Sequence, residues 1–297
     1  MLGILRVLVS ESENLLASRI IKLPSRGVSL YIREEGKGFP LLLMHGGPGA
    51  DHSTLLSLLP LAKEYRLIFY DHRCNGRSIG ADLATMEWAN LTADADAIRR
   101  HFGIDKWAVL GHSFGGMVAL EYAIRYPTNL TNLVLLDTGG DSVWVREKAS
   151  VELQRKGFHR SIVATAARFY SGQVAHSEFM KCMLLLGRAY YSHPSAFFML
   201  KEALHGLRIH ANPEACIYGF KELLAGWTVM DRLTQIKAHT LILSGTDDFQ
   251  FPPEHQKELQ KGILGAELHL LNGAGHNAHI EQQRKVVDLI GSFLENG

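Results

Sequence analysis

The chain has 297 residues, enough for one large α/β domain or for a core domain that carries an insertion. Hydrophobic residues make up 46% of the sequence and charged residues 21%, which supports a sizeable core and excludes a largely disordered chain. Lysine and arginine together number 31, against 30 aspartates and glutamates. This balance of charge argues against nucleic acid or an anionic membrane as a partner.

The cysteines and the first residues give an expectation about the compartment. Cys74, Cys182 and Cys216 are odd in number and widely spaced, which indicates free thiols in a reducing compartment such as the cytoplasm. Residues 1–10 are apolar but interrupted by Arg6, and no clear cleavage site follows them. We expect this segment to pack on the body as a helix or strand, not to act as a secretory signal. No apolar run approaches the roughly 18 residues of a membrane helix, so membrane insertion is not expected.

Short apolar runs alternate with helical patterns along most of the chain. The runs predict strands at 28–32, 41–44, 67–70, 107–110, 133–136, 240–243 and 268–271. The helical patterns lie at 54–63, 87–102, 115–125, 254–261 and 280–295. This alternation predicts an α/β fold with a mainly parallel central sheet and helices on both of its faces.

The alternation stops between residues 141 and 230. This stretch has helical patterns, for example at 162–170 and 178–191, and it is rich in aromatic residues. We predict a helical lid over residues 141–230, inserted in a core formed by residues 1–140 and 231–297. Most of its aromatic side chains should pack the inserted helices together. Some should face a cavity, because a helical insertion above the catalytic ends of the strands forms a lid.

The sequence around Ser113 predicts a catalytic nucleophile. A short apolar run leads into Gly111-His112-Ser113-Phe114-Gly115, and a helical pattern follows at once. Strand, tight turn and helix in this order form the elbow that exposes a serine hydroxyl at the end of a sheet strand. The five-residue pattern alone also fits an ordinary glycine-rich turn, so the other members of a catalytic triad must be found elsewhere in the chain.

A base and an acid follow the last two predicted strands. His276 lies in a glycine-rich loop after the strand at 268–271, and its competitor His279 lies nearer the following helix. Asp248 follows the strand at 240–243, next to the alternative Asp247. Because adjacent side chains point in different directions, only one of the two carboxylates can orient the imidazole. The order serine, acid, histidine favours an aspartate of this loop and His276 as partners of Ser113. We predict Asp248 as the acid, with Pro252 four residues later ending the loop and starting a helix.

The donors that stabilise an oxyanion should be backbone N–H groups. One belongs to Phe114, the residue after the nucleophile. The other should come from the loop His45-Gly46-Gly47-Pro48-Gly49, where Gly47 is the predicted donor because a bare backbone can approach the substrate oxygen. A tight turn without a donor role is the alternative. We expect His45 to brace this loop without transferring a proton.

These motifs together resemble the α/β-hydrolase superfamily, and in particular the prolyl aminopeptidase (proline iminopeptidase) family. The resemblance rests on the segments at 45–49, 70–78 and 111–116. It implies an α/β-hydrolase fold and removal of an N-terminal residue, often proline, from short peptides. Family members bind the free amino group with glutamates, and Glu214 is similar to one such lid glutamate; it is alternatively a surface carboxylate.

Two residues depart from the pattern of this family. Cys74 stands where a glycine is usual, and Phe249 stands where some relatives have a second glutamate. The sequence predicts a serine hydrolase that acts through an acyl-enzyme, and the resemblance implies a prolyl-aminopeptidase-like activity. A carboxylesterase or acyl-amide hydrolase that needs no free amino terminus is the alternative, because a more apolar pocket would suit an ester or an acyl amide. The expected partner is therefore a small molecule or a short peptide, without a metal or an organic cofactor. A carbon–carbon hydrolase or lyase, or a non-catalytic ligand receptor on the same fold, is also compatible with the motifs.

Overall fold

A computed structural model describes residues 19–23 and 26–295 of the chain, so the prediction for residues 1–10 lies outside the described residues. Within the described ranges, eight strands form one sheet in the order β1-β2-β4-β3-β5-β6-β7-β8. Their bounds are β1 (Arg19–Leu23), β2 (Val28–Glu35), β3 (Phe39–Met44), β4 (Tyr65–Tyr70), β5 (Trp107–His112), β6 (Leu130–Leu136), β7 (His239–Gly245) and β8 (Glu267–Leu271).

The strands from β3 to β8 run parallel to one another, and β2 pairs antiparallel with both β1 and β4. Parallel strands need crossover connections, which place helices on both faces of a sheet. The carboxyl ends of β3, β5, β6, β7 and β8 therefore meet at one edge. The predicted α/β-hydrolase fold with a mainly parallel sheet is confirmed.

Alternate residues of the central strands enter two hydrophobic cores, one on each face of the sheet. In β3, Leu42 and Met44 enter the larger core, whereas Leu41 and Leu43 enter the smaller one. All four side chains are fully buried. Burial on both faces explains why these strands appear in the sequence as continuous apolar runs without alternation.

Helices fill the connections. The α-helices are α1 (Trp88–His101), α2 (Phe114–Arg125), α3 (Ala149–Arg155), α4 (Arg160–Tyr170), α5 (Phe179–Leu186), α6 (Ala196–Gly206), α7 (Pro213–Tyr218), α8 (Pro253–Gly262), α9 (Ala278–Glu281) and α10 (Gln283–Glu295). 3₁₀ helices lie at His52–Lys63, Leu83–Thr85, His176–Glu178, Gly187–Tyr190 and Leu233–Gln235, and π-helical turns at Trp144–Lys148 and Gly219–Leu223.

The structure differs from the predicted elements in three places. The strand β1 was not expected, because its five residues include two charges and are too few to show a hydrophobic period. The helix expected at 54–63 is a 3₁₀ helix, and it contains Pro60, which has no N–H to donate. The helix expected at 280–295 is divided into α9 and α10.

The connection between β6 and β7 contains α3 to α7 and holds the residues predicted as a lid. It contacts the carboxyl edge of the sheet through backbone hydrogen bonds. Asn212 N donates to Gly49 O at 2.7 Å, and Asn277 N donates to Tyr190 O at 3.3 Å. The helical insertion therefore contacts the loops that follow β3 and β8.

Gly115→Ala should destabilise the fold because the sheet leaves no space for a side chain at this position. A Cβ on Gly115 would lie 2.1 Å from Met44 O, within the backbone of β3. We expect the free energy of unfolding to fall by about 2–3 kcal/mol. Gly291→Ala is the control, since nothing lies within 4 Å of a Cβ there and α10 should gain about 0.5–1 kcal/mol. Urea denaturation measures both; equal stability of the two variants would contradict this account.

Candidate active site

Ser113 lies on a strained turn between β5 and α2. Its φ of 52° and ψ of −122° are unusual for a residue with a side chain. The neighbouring glycines make the turn possible, because a Cβ on Gly111 would lie 2.3 Å from Gly115 O. Strand and helix thus approach at backbone distance, and the Ser113 side chain points away from both. This is the geometry of a nucleophile elbow.

The structure brings Ser113, His276 and Asp248 together. His276 Nε2 lies 2.9 Å from Ser113 Oγ, and His276 Nδ1 lies 2.9 Å from Asp248 Oδ2. Since the carboxylate accepts a hydrogen bond, Nδ1 carries the proton and Nε2 is free to accept from the serine hydroxyl. The other oxygen of Asp248 accepts from Gln250 N at 2.7 Å and Phe251 N at 3.2 Å, which fixes the carboxylate. The acid and the base are both almost completely buried.

The two alternative residues lie elsewhere. The Asp247 carboxylate accepts a hydrogen bond from Ser192 Oγ and lies 3.7 Å from Lys156 Nζ, on the side of the helical insertion. His279 is buried, and its Nε2 donates to Thr54 O at 3.2 Å. Neither side chain has a hydrogen bond to a member of the group formed by Ser113, Asp248 and His276.

The loop after β3 lies directly against the elbow. A Cβ on Gly46 would be 3.3 Å from Ser113 Cβ. His45 uses both ring nitrogens inside the protein, since Nδ1 donates to Gly46 O at 2.7 Å and Nε2 accepts from His72 N at 3.1 Å. In the part of the chain that the structure describes, no protein acceptor engages the N–H of Gly47 or Phe114. Both groups are therefore available, and their role as oxyanion donors stays a prediction.

Glu214 does not join the other predicted site residues. It lies in the first turn of α7, and its side chain is 67% exposed. The carboxylate lies 3.7 Å from Nδ1 of His176, which is exposed as well. The structure thus gives Glu214 a partner on the helical insertion and no contact with Ser113 or His276. Its role in binding an amino group stays a prediction.

Comparison with known proteins agrees with this geometry. The sequence profile of the alpha/beta hydrolase fold matches residues 40–283. The proline iminopeptidase PfmaB of Pestalotiopsis fici is 30% identical over 265 residues, which cover 86% of this chain and 92% of that relative.

The chain belongs to the α/β-hydrolase family. The 2-hydroxy-6-oxo-6-phenylhexa-2,4-dienoate hydrolase of Burkholderia cepacia is 27% identical, and the match covers 94% of this chain and 97% of that enzyme. The solved structure of the esterase EaEST from Exiguobacterium antarcticum shares the fold, with a TM-score of 0.77, 20% identity and coverage of 94% and 100%. The predicted resemblance to prolyl aminopeptidases is confirmed, and so is the prediction of a hydrolase.

An aromatic wall stands beside His276 of this α/β hydrolase. We use this term for Tyr170, Tyr190, Phe220 and Phe249, whose rings contact one another. Tyr190 lies edge-on to His276, with ring centroids 5.5 Å apart. The two tyrosine hydroxyls are 2.8 Å apart. The sequence indicated that some aromatic residues of the insertion would face a cavity, but its pattern did not show which ones.

One polar side chain joins the aromatic wall. Gln250 is buried, and its Nε2 donates to Tyr170 Oη at 3.3 Å. Sequence reasoning missed this residue, and its position two residues after Asp248 was the one available signal. The aromatic wall beside His276 is therefore mainly apolar, and its polar groups are the hydroxyls of Tyr170 and Tyr190 with the Gln250 amide.

Asp137 is a second buried carboxyl group that sequence reasoning missed. Its oxygens accept from Gly245 N at 2.8 Å and Ala278 N at 3.1 Å, so it links the end of β7, which precedes the Asp248 loop, to the start of α9, which follows the His276 loop. Burial and the charge of Asp248 raise the pKa of Asp137 well above its ordinary value. An aspartate directly after a buried strand was the signal available in the sequence.

Two buried clusters contain residue types that can ligate metals. Asp51, His52 and Asp71 form one, and His112, Asp137 and His279 form the other. In the first cluster, Asp71 Oδ1 accepts from both His52 N and His52 Nδ1. Since the Asp137 oxygens accept from backbone N–H groups, both clusters take part in the hydrogen bonding of the fold.

Among the described helices, none is both long enough and apolar enough to span a bilayer.

His279→Gln should make the protein less sensitive to acid. Burial lowers the pKa of His279 from 6.5 to about 4, so the unfolded chain takes up its proton first as the pH falls. Above pH 6.5 His279 is neutral in both the folded and the unfolded protein, so the full free energy of unfolding is kept. As the pH falls from 6.5 toward 4, the unfolded state is protonated first and the free energy of unfolding decreases. Between pH 7.5 and 5 His279 should account for about 2 kcal/mol of lost stability.

Urea denaturation at these two pH values measures the effect. Glutamine keeps an N–H for Thr54 O but does not titrate, so the variant should lose about 2 kcal/mol less than the wild type between pH 7.5 and 5. His239→Gln, at an exposed position of β7, is the control. Equal losses in His279→Gln and the wild type would contradict the proposed cause.

Proposed function

We propose that the protein is a serine hydrolase that cleaves small acyl substrates through an acyl-enzyme. The observation that carries the proposal is the continuous hydrogen-bonded chain from Ser113 Oγ through the His276 ring to Asp248, with 2.9 Å at each step. In this arrangement the histidine can take the proton of the serine hydroxyl, and the aspartate stabilises the positive charge that the histidine then carries. The shared family supports the same chemistry.

Each residue has a defined role in the proposed reaction. Ser113 Oγ attacks the substrate carbonyl carbon while His276 Nε2 takes its proton, and Asp248 stabilises the resulting imidazolium. The N–H groups of Gly47 and Phe114 hold the negative oxygen of the tetrahedral intermediate. When the intermediate collapses, His276 passes the proton to the leaving group. Water then attacks the acyl-enzyme with His276 as the base, and Ser113 is regenerated.

We propose that residues 141–230 form a cap over this centre. The insertion supplies Tyr190 beside His276, with Tyr170 hydrogen-bonded to the Tyr190 hydroxyl, and Asn212 connects it to the oxyanion loop. Asn212 Nδ2 also donates to Cys74 O at 2.8 Å. Groups from the cap thus lie next to the base and the proposed oxyanion donors, where they would contact substrate.

The surroundings of His276 support an ester or amide with an apolar group. Tyr190 and Phe249 line the side of the base, and Phe249 stands where a glutamate would favour a charged amine. The hydroxyl groups of Tyr170 and Tyr190 would bind one polar atom of the substrate. A prolyl-aminopeptidase-like activity is the second candidate, because PfmaB is named a proline iminopeptidase; it would require Glu214 to bind the amino group.

Ser113→Ala should abolish turnover. Without the nucleophile, kcat for a short p-nitrophenyl ester should fall at least about 10³-fold, because the acyl-enzyme does not form. A fluorophosphonate probe should label the wild type at Ser113 and leave the variant unlabelled. Ser150→Ala is the matched control, because the Ser150 hydroxyl donates to Glu147 O at 3.4 Å in an exposed hydrogen bond within the helical insertion. Ester turnover by Ser113→Ala close to that of the wild type would overturn the mechanism.

Blocking the amino group of an aminoacyl substrate should have little effect. We expect kcat/KM for prolyl p-nitroanilide and its N-acetyl derivative to agree within about threefold, since the aromatic wall offers no charged partner for the amine. Glu214→Gln should leave both values unchanged, as should the exposed control Glu222→Gln. If only the free substrate is cleaved and Glu214→Gln slows it tenfold, the aminopeptidase candidate replaces the ester and amide one.

A further inference from the structure

Glu281 joins the cap to the loop that carries the base. One oxygen of its carboxylate accepts from Ser192 N at 2.8 Å, and the other accepts from Gly275 N at 2.6 Å. Ser192 belongs to the helical insertion, and Gly275 directly precedes His276. One side chain thus holds two backbone groups that are 83 positions apart in the chain. No step of the proposed reaction uses this carboxylate.

Further contacts join the same two segments. We call Tyr190–Ser192 the cap strap and Gly273–Asn277 the base loop. Asn277 N donates to Tyr190 O at 3.3 Å, and a Cβ on Gly275 would lie 2.6 Å from the same carbonyl oxygen. The two backbones therefore touch without intervening side chains. The Ser192 hydroxyl also contacts Asp247, the neighbour of the catalytic acid.

The charged form of the Glu281 carboxylate depends on its two N–H partners, Gly275 and Ser192. Burial raises the pKa of Glu281, and the N–H groups of Gly275 and Ser192 oppose this shift by stabilising the charged form. Removing the carboxylate would leave both N–H groups without their acceptor; Gly275 is buried and Ser192 is half-buried, and a donor left unpaired away from water is costly. The segments they belong to would then shift to find other partners, and His276 would move with Gly275.

We propose that Glu281 is a positioning residue that links the cap strap to the base loop, so that the seated cap holds His276 at hydrogen-bond distance from Ser113. Glu281 acts through the backbone of Gly275 and does not touch the reacting atoms. The inference rests on the proposed function of His276 as the base. It gives the cap a role in catalysis that is separate from substrate binding.

The test compares Glu281→Ala and Glu281→Gln with the wild type on a p-nitrophenyl ester. Misplacement of the base lowers proton transfer more than binding, so kcat of Glu281→Ala should fall 10- to 100-fold while KM changes less than threefold. Glutamine has one oxygen that can still accept one of the two bonds, so its kcat should lie between those of wild type and alanine. Glu267→Gln, exposed on the strand before the base loop, is the matched control with unchanged kcat.

A fluorophosphonate probe separates the possible outcomes. Labelling of Ser113 needs a positioned base but little substrate binding, so its rate should fall in parallel with kcat in both Glu281 variants. Wild-type rates of turnover and labelling in folded Glu281→Ala or Glu281→Gln would overturn the inference and leave the proposed function intact. A raised KM with unchanged kcat and labelling would overturn it too, since Glu281 would then act on binding alone. Failure of the wild type itself to be labelled would overturn the proposed function.

Discussion

The parallel direction of β5, β7 and β8 is the constraint on which the candidate site depends. Ser113, Asp248 and His276 follow these three strands, and the sequence separates the first from the last by 163 positions. Because parallel strands end at one edge, the three loops emerge side by side. The hydrogen bond between His276 and Ser113 then requires only short loops of fixed shape. A mixed order of strand directions would place at least one of these residues at the opposite edge.

Backbone hydrogen bonds hold these loops in shape. Asp137 accepts from Gly245 at the end of β7 and from Ala278 at the start of α9, the residues that border the loops of Asp248 and His276. The His276 carbonyl accepts from His112 Nε2, the side chain next to the nucleophile. Buried carboxylates and imidazoles thus satisfy polar groups that loops would otherwise leave unpaired. Their altered pKa values result from this burial and are not by themselves signs of proton transfer.

Most of the fold and the central residues of the site could be predicted from the sequence, because apolar runs and glycine-rich turns are local patterns. Seven strands followed from apolar runs, and Ser113 and His276 followed from glycine-rich turns directly after such runs. The acid was restricted to one of Asp247 and Asp248, because only one of two adjacent side chains can face His276, and Pro252 at the end of the loop was the signal that favoured Asp248. The strand β1 could not be predicted, since its place depends on pairing with β2 at the edge of the sheet.

Contacts between side chains and groups that lie far apart in the sequence could not be predicted from local patterns. The aromatic wall depends on how the helices of the cap pack, and Glu214 resembles a binding residue in its sequence context although its side chain is exposed. Asp137 and Glu281 were missed for the same reason. Their partners are backbone N–H groups of distant loops, and a backbone group has no sequence signature.

Three contacts between the helical insertion and the loops at the carboxyl edge use backbone N–H groups as donors, and this has an evolutionary consequence. Asn212 N meets Gly49 O, Asn277 N meets Tyr190 O, and Ser192 N meets Glu281. Any residue except proline supplies such an N–H, so side chains of the cap can be exchanged while its support of the core is retained. Substrate preference can then diverge while the geometry at Ser113 and His276 is kept, in line with relatives that are named a proline iminopeptidase and a 2-hydroxy-6-oxo-6-phenylhexa-2,4-dienoate hydrolase.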